Sequence, residues 1–145
     1  MKRLVSRVAL AGLLMGMSVL AVAEGLQSQV APAGAKVFIE SPADGATVDK
    51  TFTVKFGIEG MKLAPAADAI PGTGHHHLLV DLADQPESDK PLPVTDHILH
   101  FGKAQTETTL TLAPGKHTLQ LLLGDQNHVP FKPAVESQKI TVNVQ

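Results

Sequence analysis

The chain has 145 residues with 12 Lys plus Arg, 14 Asp plus Glu, seven His, five Phe, and no Cys, Tyr or Trp. A cysteine nucleophile, a disulfide, a thiolate metal site and a lipid-modified cysteine are therefore excluded, and the stacking platforms that hold single-stranded nucleic acid or flat sugar faces are lacking.

The first twenty-three residues read as an export signal. Lys2, Arg3 and Arg7 make a positive start, an apolar stretch runs from Val8 to Leu20, and Ala21-Val22-Ala23 offers a small-x-small cleavage pattern, so cleavage is expected after Ala23. That stretch is shorter than the roughly 20 apolar residues that span a bilayer, and no later segment approaches the length, so no membrane span is expected after cleavage. The destination is the periplasm or the medium. Loss of the three cations leaves nine Lys against fourteen carboxylates, a net charge of −5 with neutral histidines, which disfavours nucleic acid as a partner.

Residues 24–35 are rich in Ala, Gln and Gly without periodic apolar positions and read as a flexible lead-in, with a single domain expected over 36–145. From Lys36 onward the pattern has period two, the mark of strands with one buried face. Val37 and Ile39 open it, then Phe52, Val54, Phe56 and Ile58 alternate with Thr51, Thr53 and Lys55. Short runs His77–Asp81 and His97–Phe101 follow, then Leu110 and Leu112, then Leu119, Leu121 and Leu123, where Leu122 interrupts the polar side. Ile140, Val142 and Val144 close the chain. Ser41-Pro42-Ala43-Asp44-Gly45 reads as a turn and Ala113-Pro114-Gly115-Lys116 as a hairpin turn. One-sided strands must bury their faces against one another, so the expected fold is an all-β, immunoglobulin-like antiparallel sandwich of about seven strands. Two Pro-rich connections, Met61 to Gly74 and Leu82 to Thr95, bracket the third run.

Chemistry concentrates at His75-His76-His77, between Pro71-Gly72-Thr73-Gly74 and Leu78-Leu79-Val80, at what reads as a loop-to-strand junction. If Leu78 and Val80 face the core, His76 lies on their side, while His75 and His77 point the other way with Leu79 and Asp81. Two imidazoles on one strand face can chelate a metal if other elements supply the remaining ligands. His97 and His100 would face opposite sides of their strand, and His100 is preferred because its neighbours look strand-like. His128 sits in the turn-rich Gly124-Asp125-Gln126-Asn127-His128-Val129-Pro130, which can fold back over a sheet edge; alternatively, Asp125 and Asn127 satisfy turn amides and His128 only caps the turn. His117 is expected to be an exposed hairpin residue. The candidate metal ligands are His75, His77, His100 and His128, with no catalytic residues assigned.

Three segments together resemble the signatures of an uncharacterised family of bacterial exported domains, domain of unknown function 4399. They are Gly74-His75-His76-His77-Leu78-Leu79-Val80-Asp81, His100-Phe101-Gly102-Lys103-Ala104-Gln105-Thr106-Glu107-Thr108, and Leu123-Gly124-Asp125-Gln126-Asn127-His128-Val129-Pro130. The resemblance spans Lys36 to Gln145 and implies a family but no activity. It also implies a histidine after Val129-Pro130, where this chain has Phe131.

No serine lies in a Gly-x-Ser-x-Gly elbow and no His-Glu-x-x-His spacing is present, so a zinc hydrolase using Asp81 or Glu107 as base is a minority reading. With no Cys, and only Met61 left after cleavage, Cu(II) or Zn(II) suits the donor set better than Cu(I) or blue copper. The leading expectation is a periplasmic histidine-rich module that buffers or delivers such an ion. The alternative is a structural or interaction domain that contacts another envelope protein, its histidines forming a hydrogen-bonded cluster.

Overall fold

The computed structural model describes residues 26–145, so the expected signal peptide lies outside the described residues. Nine strands follow in order: β1 (Lys36–Ser41), β2 (Thr47–Val48), β3 (Thr51–Glu59), β4 (Lys62–Leu63), β5 (Thr73–Val80), β6 (Ile98–His100), β7 (Glu107–Thr111), β8 (Gly115–Gly124) and β9 (Ile140–Val144). A single 3-10 turn at Ala66–Asp68 is the one helical element among the described residues, and no described helix is long and apolar enough to cross a membrane.

The strands form two sheets. One has the order β1-β3-β7; the other runs β2-β9-β8-β5-β4, with β6 also paired to β5. The seven runs read from alternation all appear as strands, and the two additional ones, β2 and β4, are two-residue parallel pairings at the margins. This is an all-β, predominantly antiparallel sandwich consistent with an immunoglobulin-like arrangement. The faces that alternation assigned inward do meet: Val37, Val54 and Phe56 from the smaller sheet pack with Leu78, Val80, Leu119, Leu121, Leu123, Ile140, Val142 and Val144 from the larger. Each such side chain stabilises the fold by roughly 1.5–3 kcal/mol when fully buried, so burial can replace the absent disulfide.

Three local readings change. The Pro114-Gly115 turn is no hairpin, because β7 pairs with β3 in one sheet while β8 belongs to the other, so the chain crosses between layers here. The histidines lie inside β5 rather than at its start: the turn ends at Gly72 (φ +72°) and pairing begins at Thr73. Gly74 suits this early entry, since a Cβ there would stand 2.8 Å from the Gly124 carbonyl oxygen. Finally, the larger sheet is covered on both faces. Leu79 and Leu122, which point away from the main core, are buried with Leu92 and Ile98 in a second apolar cluster, so the Pro-rich loop after β5 closes over the sheet. Within residues 24–35, Val30 forms a bridge to Lys132, and the Ala31 N–H donates to the Lys132 carbonyl oxygen.

Candidate metal centre

Strand pairing assembles the site. The β5–β6 register sets His77 directly opposite His100, and the β5–β8 register sets His75 opposite Gly124. Alternation on β5 turns His75 and His77 to the same face, away from Leu78 and Val80, while His76 enters the core against Phe56 with ring centroids 5.1 Å apart. The fourth imidazole arrives from the loop after β8. There Asp125, buried, accepts from the N–H groups of Asn127 (2.8 Å) and Val129 (3.0 Å), and its own N–H and carbonyl oxygen bond Val129 and His128. His128 takes φ +64° in this clamp and swings back over the sheet edge. Asp125 thus satisfies turn amides, and His128 also reaches the other histidines. The Leu92 N–H donates to the His128 carbonyl oxygen (2.8 Å), tying the Pro-rich loop to the same segment.

The four candidate ligands converge. One ring nitrogen from each of His75, His77, His100 and His128 lies within 4.8 Å of the others. His75 Nε2 is 3.0 Å from His128 Nδ1 and 3.1 Å from His100 Nε2. Among these four, His77 alone has both ring nitrogens buried without a hydrogen-bond partner; Nδ1 of His75 is likewise unpartnered, and His76, on the core side of the strand, has both of its nitrogens in the same state. An unmet buried polar group costs about 1–3 kcal/mol, so the site carries an unfulfilled demand for an electron-pair acceptor or donor.

Two glycines make room, a feature that sequence reading missed. A Cβ at Gly124 would lie 2.7 Å from Cε1 of His77, and one at Gly102 would lie 2.4 Å from Cε1 of His100. Both glycines stood in the histidine-bearing segments, but the reason for them is spatial and appears only when the strands are paired.

The remaining histidines do other work. His97 bonds the Val80 carbonyl oxygen through Nδ1 (2.8 Å). His117, expected as an exposed hairpin residue, is half-buried, with Nδ1 on the Asp81 carboxylate (2.6 Å) and Nε2 on the Ala113 carbonyl oxygen (2.8 Å). Asp81, beyond the end of β5 at φ +52°, also accepts from the Thr118 N–H (2.9 Å), which turns it away from the cluster. Phe131 fills the inter-sheet core, so the residue at that position takes no place from the four converging imidazoles.

The family model described as Domain of unknown function (DUF4399) matches residues 54–145, a span that holds all four of these histidines. The chain belongs to the DUF4399 family. No curated protein and no solved structure matches it.

Electrostatics in this DUF4399 domain separate the histidines by state. Burial first, then the neighbouring imidazoles, lower His75 to about 4 and His77 to about 2, and burial alone lowers His76 to about 4. His100 is lowered by burial and by His128. His117 moves the other way, raised first by its bond to Asp81 and then by the bond to Ala113. In metal-free protein, proton NMR is therefore expected to show the His117 ring titrating above 6.5 and the three β5 rings still neutral at pH 5. The unfolded chain, with ordinary histidines, binds more protons between pH 6.5 and 4, so stability falls as pH drops through that window. On unfolding at pH 5 these three rings should together take up roughly two to three protons from solvent. The contribution of His117 has the opposite sign: it is present below 6.5 and lost as pH rises through its raised value. A β5 ring titrating near 6.5 in the folded protein would contradict this assignment.

Proposed function

We propose that this DUF4399 protein is an exported, non-catalytic module that holds one Cu(II) or Zn(II) ion through His75, His77, His100 and His128, as a buffer or carrier of that ion. The observation that carries this reading is the convergence of four imidazoles with the ring nitrogens of His77 left buried and unpaired. A tetrahedral site with Zn–N near 2.0–2.1 Å has N···N edges of about 3.3–3.4 Å. The 3.0 and 3.1 Å separations at His75 are already close to this, and the widest, at most 4.8 Å, needs a contraction that side-chain torsions can supply. Low proton affinity favours the ion, because protons and metal compete for the same lone pairs and buried rings that resist protonation are available at neutral pH.

The absence of catalysis is supported by where the carboxylates lie. Asp81 is held by His117 and Thr118, and Glu107 stands on β7 in the other sheet, paired in register with Lys55. The alternative, a hydrogen-bonded histidine cluster in an envelope interaction domain, draws on the His75–His128 and His75–His100 contacts, but leaves His77 without a role.

Titration calorimetry on untagged protein, whose amino terminus mass spectrometry should place at Glu24, is expected to give one ion bound per chain at pH 7. No binding at neutral pH would remove the metal reading and put the interaction domain in front.

A further inference from the structure

The four imidazoles are unequal in exposure. His75 and His77 are fully enclosed on the sheet, whereas His100 and His128 are half-buried and reach solvent along one edge. At that edge lies an open cleft of about 470 Å³ lined by Ala66, Ala67, His100, Gly102, Lys103, Gln105 and His128. Its walls are fixed to one another: the Ala66 N–H donates to the Gly102 carbonyl oxygen (3.0 Å), and the Gln105 side chain accepts from the Lys103 N–H (2.8 Å). Gly102 leaves the outer side of the His100 ring uncovered, since a Cβ there would come within 2.7 Å of its Nε2. Small residues therefore form the floor, and Lys103 is the one charged residue among those lining the cleft.

Building on the metal reading, we propose that this cleft is a second binding site, in which a small carboxylate-bearing chelator bonds the ion directly at the His100–His128 edge while its negative charge faces Lys103. The space corresponds to the liquid volume of on the order of fifteen waters, which suits a molecule the size of an amino acid or hydroxy acid. An ion held by His75, His77, His100 and His128 would be reached from the His100–His128 edge, and either Cu(II) or Zn(II) can take one further donor there. A carboxylate oxygen donates its lone pair there, and any water it displaces leaves with both protons. The module would thus load and unload through a ternary complex, by ligand exchange at its exposed edge and without opening the buried His75–His77 side.

The test uses full-length mature protein loaded with Cu(II), with azide as probe and glycine as competitor. Azide should produce a ligand-to-Cu(II) charge-transfer band that saturates, and glycine should displace it. Lys103→Met should weaken azide roughly fivefold, as expected for loss of one exposed ion pair, and Ala67→Trp, which fills the cleft, should abolish the band. Calorimetry with Cu(II) on each variant separates the two levels. Protein that takes up no Cu(II) overturns the metal reading and this inference with it. Protein that takes up Cu(II) but gives no azide band, or gives one indifferent to both replacements, overturns the chelator site alone.

Discussion

Replacing His77 or His100 by Ala is expected to weaken Cu(II) or Zn(II) binding by roughly 100-fold or more, whereas His117→Ala should leave it nearly unchanged. Loss of an outer-shell partner alone commonly costs 10- to 100-fold in metal affinity, and here a donor nitrogen itself is removed. His77 and His100 face each other across the β5–β6 ladder, so either deletion opens the centre of the cluster. His117 spends both nitrogens on Asp81 and Ala113 and takes no part in the cluster. The same contrast should appear in thermal melts. An ion present at 100 times its dissociation constant stabilises the folded state by about 2.7 kcal/mol, which for a domain of this size raises Tm by about 10 °C. That rise should vanish in His77→Ala and persist in His117→Ala. Equal losses of binding from all single histidine replacements would defeat the specific site.

His77→Leu is expected to separate stability from binding. In the metal-free protein the His77 ring lies buried with both nitrogens unpaired. Leucine has a similar volume and no polar atom to satisfy, so the replacement should stabilise the metal-free domain by about 1–3 kcal/mol while eliminating tight metal binding. Natural proteins keep such locally unfavourable groups where function requires them. Denaturant unfolding of metal-free wild type and variant gives the stability, and calorimetry gives the binding. A destabilised His77→Leu would mean that the imidazole makes favourable contacts of its own, as the hydrogen-bonded cluster requires.

Gly124 illustrates how far each level of description reaches. In the linear chain it is a turn residue after an apolar strand, and nothing local marks it as a wall of the site. Only the register that puts Gly124 opposite His75, with the His77 ring 2.7 Å from its missing Cβ, assigns it that role. Leu79 and Leu122 are similar: as outward residues of strands they look misplaced, until the loop bearing Leu92 closes over them.

What the amino-acid order determined by itself was everything that depends on the two-residue strand period. Alternation selected the inward faces that form the core and put His75 and His77 on one side of β5 with His76 on the other, while the strand-like neighbours of His100 marked it, rather than His97, as the partner on the neighbouring strand. The reason is that successive side chains of a strand point to opposite faces whatever lies next to them. Tertiary structure decided the rest: which strands became neighbours, that the chain crosses between sheets at Pro114-Gly115, that Asp81 turns to His117, and that Asp125 clamps a loop carrying His128 into the cluster. These depend on register between segments far apart in sequence and on which loop covers which face, energies set by packing across the folded domain rather than by any local pattern.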